Sequence, residues 1–259
     1  MIIVQVSDFH VDLCVRTAAG TVDTRERLRQ AVAWVDALRP VPDVVLVTGD
    51  LVNDGTPEQY AFVKQMLSML TVPCYVVPGN HDDRENMRRA FADQGYLDSK
   101  SNYLHYVIDG CPLRLVALDT LIPGQEQGEL CTRRLTWLEE RLSDAPARPT
   151  LIFMHHPPFA TGMPTFDMIG LRGAPEMAAL IARHSQIEAI ICGHVHQPLH
   201  TKWCGTVAYT AASISFQYPL DLGPSAAMEP VYAPPTGRMY VWDQRTGLVA
   251  HLLHIAAGR

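Results

Sequence analysis

Five short stretches of this sequence carry side chains that commonly bind metal ions, and each follows directly on an apolar run. They are Asp8 and His10, then Asp50, then Asn80 and His81, then His155 and His156, and finally His194 and His196. Carboxylate oxygen combined with imidazole nitrogen suits first-row ions such as zinc, manganese or iron. The donors outnumber the ligands of one tetrahedral ion. The set therefore predicts two ions about 3.5–4 Å apart that share a bridging carboxylate.

Each motif taken alone also has an ordinary structural explanation. An isolated Asp-x-His is a weak signal, a His-x-His can be a surface feature, and Gly79-Asn80-His81-Asp82 can be a turn followed by a helix cap. The five motifs together, each after a predicted strand, favour a metal site. Gly49, Gly79 and Gly193 each precede a candidate donor, and glycine permits the tight turns that such loops require.

An alternation of strands and helices would position the motifs. The predicted strands that precede them cover 2–6, 44–47, 74–77, 151–154 and 189–192. The predicted helices cover 23–38, 57–70, 132–142 and 175–184, and a further one follows Asp82-x-x-Glu85, with Asp82 as its cap. Loops at the carboxyl ends of strands in an α/β sheet converge on one crevice. We therefore expect the five motifs to surround one point.

The second half of the chain predicts further strands and two segments at the rim of the site. The pattern predicts a hairpin of strands at 103–107 and 113–118 around Asp109-Gly110, and two or three further strands near 207–210, 238–242 and 249–253. These late strands indicate a second, mixed sheet in an α/β protein. We expect residues 157–173 to form one rim of the site. We expect the Pro- and Gly-containing segment 214–237 to cover the site or to form a dimer contact. We expect 1–259 to form a single domain.

Composition excludes several classes of protein. The chain has 259 residues, with 21 Lys and Arg against 27 Asp and Glu, for a net charge of −6. That balance and the lack of a basic tract argue against a stable nucleic-acid partner. The sequence has no run approaching the ~18 apolar residues of a membrane span. Six cysteines without a CxxC pair indicate reduced thiols and a cytoplasmic protein.

The ordered motifs resemble the signature of the calcineurin-like metallophosphoesterases. The motifs are Asp8-Phe9-His10, Gly49-Asp50, Gly79-Asn80-His81-Asp82, His155-His156 and Gly193-His194-Val195-His196. The surrounding stretches 44–54, 75–83 and 152–158 resemble the bacterial branch of cyclic-nucleotide phosphodiesterases and glycerophosphodiesterases. The resemblance covers roughly residues 1–215. It implies a four-layer α/β/β/α sandwich, in which helices flank two mixed β-sheets.

The resemblance also implies a role for each motif residue. One metal would be held by Asp8, His10 and His196, the other by Asn80, His155 and His194, with Asp50 as the bridge. His81 would face the phosphate, and His156 would have a structural role. A hydroxide between the metals would attack phosphorus, while Asn80 and the metals neutralise charge. His81 would stabilise developing charge or protonate the leaving oxygen.

The sequence indicates the class of reaction more closely than it indicates the substrate. Phe216 stands where the glycerophosphodiesterase-like relatives carry a further histidine. It is a candidate substrate contact that would stack on a base or pack against an apolar ester, and the alternative is packing within its own loop. We expect small phosphodiesters, with cyclic nucleotides ahead of glycerophosphodiesters, and a homo-oligomer such as a dimer. The alternatives are a phosphodiesterase of broad specificity, a nuclease, or a metal-binding scaffold without catalysis.

Overall fold

Two β-sheets packed face to face form the centre of the molecule. The computed structural model describes residues 1–98, 101–223 and 229–255. The strands are β1 (Ile2–Val6), β2 (Val15–Thr17), β3 (Gly20–Val22), β4 (Val44–Val47), β5 (Cys74–Val76), β6 (Tyr106–Ile108), β7 (Arg114–Leu118), β8 (Gly128–Glu129), β9 (Thr150–Met154), β10 (Leu171–Arg172), β11 (Ile187–Cys192), β12 (His200–Trp203), β13 (Thr206–Thr210), β14 (Thr236–Asp243) and β15 (Gly247–His254). The helices are α1 (Thr24–Asp36), α2 (Pro57–Leu67), α3 (Arg84–Ala90), α4 (Thr132–Ser143), α5 (Pro164–Met168) and α6 (Ala174–Ile181).

Both large sheets are mixed. The first has five strands in the order β15-β14-β1-β4-β5, with β1, β4 and β5 parallel. The second has six strands in the order β12-β13-β11-β9-β7-β6, with a parallel centre and antiparallel edges. Two small pairs, β2–β3 and β8–β10, lie outside these sheets. Because the central strands are parallel, their carboxyl ends reach the same edge.

Alternating side chains along the strands divide the core into layers. In β4, Val45 and Val47 pack with Leu28 of α1, whereas Val44 and Leu46 pack against the second sheet. The second sheet alternates in the same way, and its outer face packs against α4 and α6. Successive strand residues point to opposite faces, so strands buried on both faces read as continuous apolar runs. The predicted four-layer α/β/β/α sandwich is confirmed.

Most predicted elements are present, with shifts at their ends. The predicted helix 57–70 ends at Leu67, and the predicted strand 103–107 begins at Tyr106. The sequence pattern does not predict β2, β3, β8, β10, β12 or α5, which span only two to five residues each. Such short elements lack the several apolar repeats from which a period can be recognised.

The predicted cap of the third helix is wrong. Asp83, not Asp82, is the N-cap of α3, because its side chain accepts a hydrogen bond from the Asn86 amide at 2.8 Å. Asp82 is buried and points back toward the preceding loops. Two adjacent aspartates before a helix offer the same local pattern, so tertiary contacts decide which of them caps it.

The described residues of the cover segment predicted at 214–237 form no helix and no named strand before Thr236, where β14 begins. Its described part is held by paired backbone hydrogen bonds between Gln217 and Val231, at 3.2 and 2.7 Å. Residues 224–228 of the predicted cover lie outside the described residues. In the described part of the chain, no helix has the length and apolar character needed to span a bilayer.

Candidate metal centre

The five motif loops meet at one edge of the two sheets, at the ends of β1, β4, β5, β9 and β11. Backbone hydrogen bonds join them. The Asp8 amide donates to the Gly49 carbonyl at 3.1 Å, and the Gly193 amide donates to the His155 carbonyl at 3.0 Å. The second bond crosses from the loop after β11 to the loop after β9. The loops therefore form one connected floor beneath the side chains.

One set of donor atoms gathers around Asp8, His10 and His196. The Nε2 atoms of His10 and His196 lie 3.1 Å apart, and His196 Nε2 lies 3.5 Å from Asp8 Oδ1. All three side chains are buried. Asp8 Oδ2 and His10 Nδ1 have no hydrogen-bond partner among the described residues. A buried carboxylate oxygen without a partner is costly, and a cation would remove that cost.

A second set gathers around Asn80. Its Oδ1 lies 3.0 Å from His155 Nε2 and 3.1 Å from His194 Nδ1. Asp50 lies between the two sets, because its Oδ2 is 3.5 Å from His10 Nε2 and 3.4 Å from His155 Nε2. Oxygen and nitrogen lone pairs facing one another at these distances are the donor set of a transition-metal site. The residues present therefore fit two metal ions.

Three backbone carbonyls fix the orientation of the imidazoles. His155 Nδ1 donates to the Thr48 carbonyl at 2.7 Å, and His196 Nδ1 donates to the Phe216 carbonyl at 2.9 Å. His194 has the opposite orientation, because its Nε2 donates to the Ile169 carbonyl at 3.1 Å. A carbonyl only accepts, so in a neutral ring the other nitrogen carries the lone pair. In all three rings that nitrogen faces the other donors, as in many metal sites.

Burial and charge set the protonation of this cluster. Burial lowers the pKa of both His194 and His196 to about 3, so both rings are neutral near pH 7. Burial alone would also lower the pKa of His155, but the Asp50 carboxylate raises it to about 9. His155 in turn holds the pKa of Asp50 well below its usual range, against the effect of burial. Without metal, His155 and Asp50 therefore form a buried ion pair.

Five of the donor residues have left-handed backbone conformations. The φ angles of Asp8, His10, Asp50, His194 and His196 are 56°, 45°, 51°, 71° and 55°. Such conformations cost non-glycine residues on the order of 1–3 kcal/mol each and cluster at functional sites. The left-handed conformation turns each side chain toward the centre. Packing of the folded core compensates the strain. The sequence predicts tight turns at the neighbouring glycines and gives no sign that the donor residues themselves are left-handed.

Glycine is required at position 79 for a different reason. A Cβ atom there would lie 2.2 Å from Asp50 Oδ1 and 2.4 Å from the Asp50 amide nitrogen. The loop after β5 thus approaches the loop after β4 more closely than any side chain would allow. Asn80 and Asp50 are brought together by this approach.

His81 lies at the open side of the cluster and is half-buried. Its amide donates to Asp50 Oδ1 at 2.9 Å, and its Nδ1 donates to the Asn53 carbonyl at 3.0 Å. The ring stands edge-on to His10, with centroids 4.7 Å apart. Nε2 has no described hydrogen-bond partner within the chain, so it is free to meet a ligand.

His156 and Phe216 support the donors from behind. His156 is fully buried, its Nε2 donates to the Glu126 carbonyl at 3.0 Å, and its Nδ1 contacts Thr120 Oγ1 at 2.8 Å. Its ring lies 4.5 Å from that of His194. The Phe216 ring is 3% exposed and packs 4.6 Å from the His196 ring. Both nitrogens of His156 are thus occupied by protein groups.

The two predicted rims touch each other through aromatic rings. The Tyr218 ring lies 5.2 Å from that of His196 and 5.5 Å from that of Phe166, which in turn lies 5.9 Å from His194. Tyr218 is only partly buried. The contact between the Tyr218 and Phe166 rings was not predictable, because nothing in the local sequence indicates that segments 157–173 and 214–237 meet.

Two bacterial phosphodiesterases are similar to this chain over most of its length. A probable glycerophosphodiester phosphodiesterase, GpdQ, of Arcobacter nitrofigilis is 38% identical over 256 residues, which is 98% of this chain and 93% of the relative. A 3′,5′-cyclic adenosine monophosphate phosphodiesterase, CpdA, of Escherichia coli is 32% identical over 219 residues, covering 83% and 77% of the two chains.

A solved structure shares the fold, and a family model matches most of the chain. A dimetal phosphatase from Danio rerio superposes with a TM-score of 0.68 at 15% identity, covering 99% of both chains, which shows a shared fold. The family model described as calcineurin-like phosphoesterase matches residues 1–198. That match includes all five motifs. The chain belongs to the calcineurin-like phosphoesterase family.

Proposed function

We propose that this protein is a metal-dependent phosphodiesterase that hydrolyses small phosphodiesters. The observation that carries the proposal is the convergence of Asp, Asn and His donors from five strand-end loops on one buried centre. The phosphodiesterase relatives support the same reaction class. A cluster of this kind with no open side would favour a structural metal site, but His81 and Tyr218 border the centre and are not fully buried.

The proposed ligands divide into two sets around one bridge. Asp8, His10 and His196 would hold one ion, and Asn80, His155 and His194 the other. Asp50 would bridge, since its Oδ2 lies at 3.5 and 3.4 Å from the nearest imidazole nitrogens of the two sets. Iron, manganese and zinc all suit these donors. When bound, the ions would supply a water of lowered pKa and polarise the phosphoryl group.

Two side chains of the chain itself would act on the substrate. Asn80 turns its Oδ1 toward His155 and His194, which leaves its amide N–H groups to donate to a phosphoryl oxygen. His81 is held by the Asn53 carbonyl through Nδ1. In its doubly protonated form it would donate the Nε2 proton to the leaving oxygen. We assign Asn80, His81 and Asp50 as the catalytic residues.

Cyclic nucleotides are the preferred substrates in this proposal, supported by the similarity to CpdA. Glycerophosphodiesters are the second candidate, supported by the longer and closer match to GpdQ. The low exposure of Phe216 and the bond from His196 to its carbonyl favour a role in holding His196 over stacking on a base. Tyr218, which is more exposed, is better placed to meet a substrate.

A substrate panel tests the proposal. Metal-loaded protein is offered cyclic AMP, glycerophosphoethanolamine, bis(p-nitrophenyl) phosphate, p-nitrophenyl phosphate and single-stranded DNA. We expect the small diesters to be hydrolysed faster than the monoester, and cyclic AMP to have the highest kcat/KM of the biological substrates. Hydrolysis of DNA alone would replace the proposal with a nuclease. Failure on every substrate by protein carrying two metals would indicate a scaffold.

Three further expectations belong to this proposal. We propose that 1–259 forms one domain, that it assembles as a homo-oligomer in which 214–237 covers the site or contacts a neighbour, and that it works in the cytoplasm. All six cysteines are free, which supports a reducing compartment. Sedimentation of the metal-loaded protein tests the oligomer, and a monomer at all concentrations would contradict it.

A further inference from the structure

Asp82 is a buried carboxylate that caps no helix and belongs to neither proposed set of metal ligands. Only 7% of its surface is exposed. Its Oδ2 accepts hydrogen bonds from the Gly79 amide at 2.8 Å and the Leu51 amide at 3.2 Å. Those amides belong to two different loops. Gly79 directly precedes Asn80, and Leu51 directly follows Asp50.

The carboxylate therefore ties together the loops that carry the bridging residue and a ligand of one set. The tie is reinforced by the bond from the His81 amide to Asp50 Oδ1 at 2.9 Å. The Asp82 amide also donates to the Gly79 carbonyl at 3.3 Å. Residues 79–82 thus form a closed turn with Asn80 and His81 at its tip. The distance from Asp50 to Asn80 depends on this turn.

Tyr60 of α2 fixes the other oxygen of Asp82. Its hydroxyl donates to Asp82 Oδ1 at 2.8 Å and accepts from the Asp83 amide at 2.8 Å. Tyr60 is fully buried among the side chains between α2 and the first sheet. The helix core is thereby linked by hydrogen bonds to the loops of the metal centre.

We propose that Tyr60 and Asp82 form a positioning pair that sets the separation of Asp50 from Asn80. By doing so the pair determines how tightly the ion on Asn80, His155 and His194 is held. Groups that orient metal ligands commonly change metal affinity by 10–100-fold when they are removed. The inference rests on the ligand assignment proposed above. Neither residue would touch the substrate.

The test compares three tyrosine or aspartate variants by metal binding. Tyr60→Phe keeps the buried ring and removes only the hydroxyl. Asp82→Ala removes the whole tie, and Asp82→Asn retains one acceptor for the Gly79 and Leu51 amides. Tyr106→Phe is the matched control, because the buried Tyr106 hydroxyl donates to the Val76 carbonyl within β5 at 2.6 Å and not to Asp82 or to the amides of Gly79 and Leu51. Metal content and dissociation constants are measured by chelator competition with Mn²⁺, and stability by thermal unfolding of the metal-free proteins.

We expect Tyr60→Phe to weaken one of the two metal sites, the one formed by Asn80, His155 and His194, about 10-fold or more. Asp82→Ala should weaken it further, and Asp82→Asn should partly rescue it. Tyr106→Phe should lose comparable thermal stability and keep wild-type metal affinity. Equal metal affinity in Tyr60→Phe and Tyr106→Phe would overturn the proposal, and this holds even if Asp82→Ala fails to fold. A wild-type protein that binds no metal would instead overturn the ligand assignment.

Discussion

At the scale of single residues, the imidazoles of the centre differ in protonation because their surroundings differ. His194 and His196 are neutral because burial lowers their pKa to about 3, whereas Asp50 overcomes burial at His155 and raises that pKa to about 9. A metal ligand must be deprotonated. The metal-free centre is therefore ready to bind at His194 and His196 and must lose a proton at His155.

Metal uptake should release a proton from His155 at neutral pH. Its folded-state pKa is raised to about 9, so below that pH the metal displaces a bound proton. Apparent affinity should then increase about tenfold per pH unit between about pH 7 and 8.5. Calorimetry in buffers of different ionisation enthalpy measures the proton directly. Affinity that does not change with pH over this interval would show that His155 is already neutral.

His81 is expected to separate metal binding from catalysis. His81→Ala should keep both metals, because the Asn53 carbonyl is the one hydrogen-bond partner of the ring among the described residues. It should lower kcat by about 10²–10⁴-fold. His184→Ala is the control, since His184 pairs with Glu139 at 3.1 Å away from the centre. Metal analysis and kcat on bis(p-nitrophenyl) phosphate measure both effects. If His81→Ala lost metal, the residue would have to be counted among the ligands.

At the scale of elements, the site is formed by the loops at the carboxyl ends of five strands. Each strand delivers a loop to the same edge, and the loops are held to one another by backbone and side-chain hydrogen bonds. Close approach of the loops after β4 and β5 requires Gly79, whose added Cβ would lie 2.2 Å from Asp50 Oδ1. The strands bring the donor loops to the same edge, and the contacts between loops set the distances between the donors.

Gly79→Ala should therefore lose metal as well as stability. Pushing Asp50 away from the loop after β5 should weaken metal binding and cost about 1–3 kcal/mol of unfolding free energy, in the range of overpacked sites. Gly110→Ala is the control, because a Cβ there meets nothing within 4 Å. Denaturant unfolding and metal content are measured on both variants. Unchanged metal content in Gly79→Ala would contradict the close-approach argument.

The sequence predicted the strands and their terminal motifs because both signals are local. Continuous apolar runs such as Val44–Val47 mark strands buried on both faces, and the donors follow directly. The conformations of those donors were not predictable, because a left-handed Asp8 or His194 contradicts its local preference and persists only through the surrounding packing. Asp82 was misassigned for the same reason. Its partners Leu51 and Tyr60 are 31 and 22 residues away along the chain.

At the scale of the whole molecule, a largely buried ion pair away from the donor cluster joins the two halves of the sandwich. Arg84 at the start of α3 binds Asp119 after β7 through two hydrogen bonds, at 2.5 and 2.9 Å. Asp119 is fully buried and also accepts from the Leu104 and Leu121 amides. The helix layer of the first sheet is thus tied to a strand end of the second.

Breaking this pair should destabilise the fold in a pH-dependent way. Asp119→Asn should lower the free energy of unfolding at pH 7 by about 3–5 kcal/mol, as expected for one partner of a buried pair. Burial would raise the Asp119 pKa, but Arg84 lowers it below its usual value. The contribution is therefore full above the unfolded pKa of about 3.9 and is lost as the pH falls through the lower folded value. Denaturant unfolding should show the variant and wild type converging only in strong acid.

The exposed pair of Lys64 and Asp93 supplies the comparison for that experiment. Asp93→Asn should leave unfolding at pH 7 nearly unchanged, because solvent screens an exposed pair. If Asp119→Asn behaved like Asp93→Asn, the two halves would not depend on the buried pair.

The overall charge and the charge at the site have opposite signs in this account. The chain has a net charge of −6, yet two divalent ions would bring four positive charges against the two negative charges of Asp8 and Asp50. A small anionic diester would be attracted at one point. A polyanion would meet a repulsive surface elsewhere.

The central claim is that hydrolysis depends on two metals that Asp50 holds together. The most direct test measures metal content and hydrolysis of bis(p-nitrophenyl) phosphate on the same samples of wild type and Asp50→Ala. We predict two metals per chain and hydrolysis in wild type, with loss of at least one metal and of hydrolysis in Asp50→Ala. Full activity in an Asp50→Ala protein that contains no metal would contradict the account.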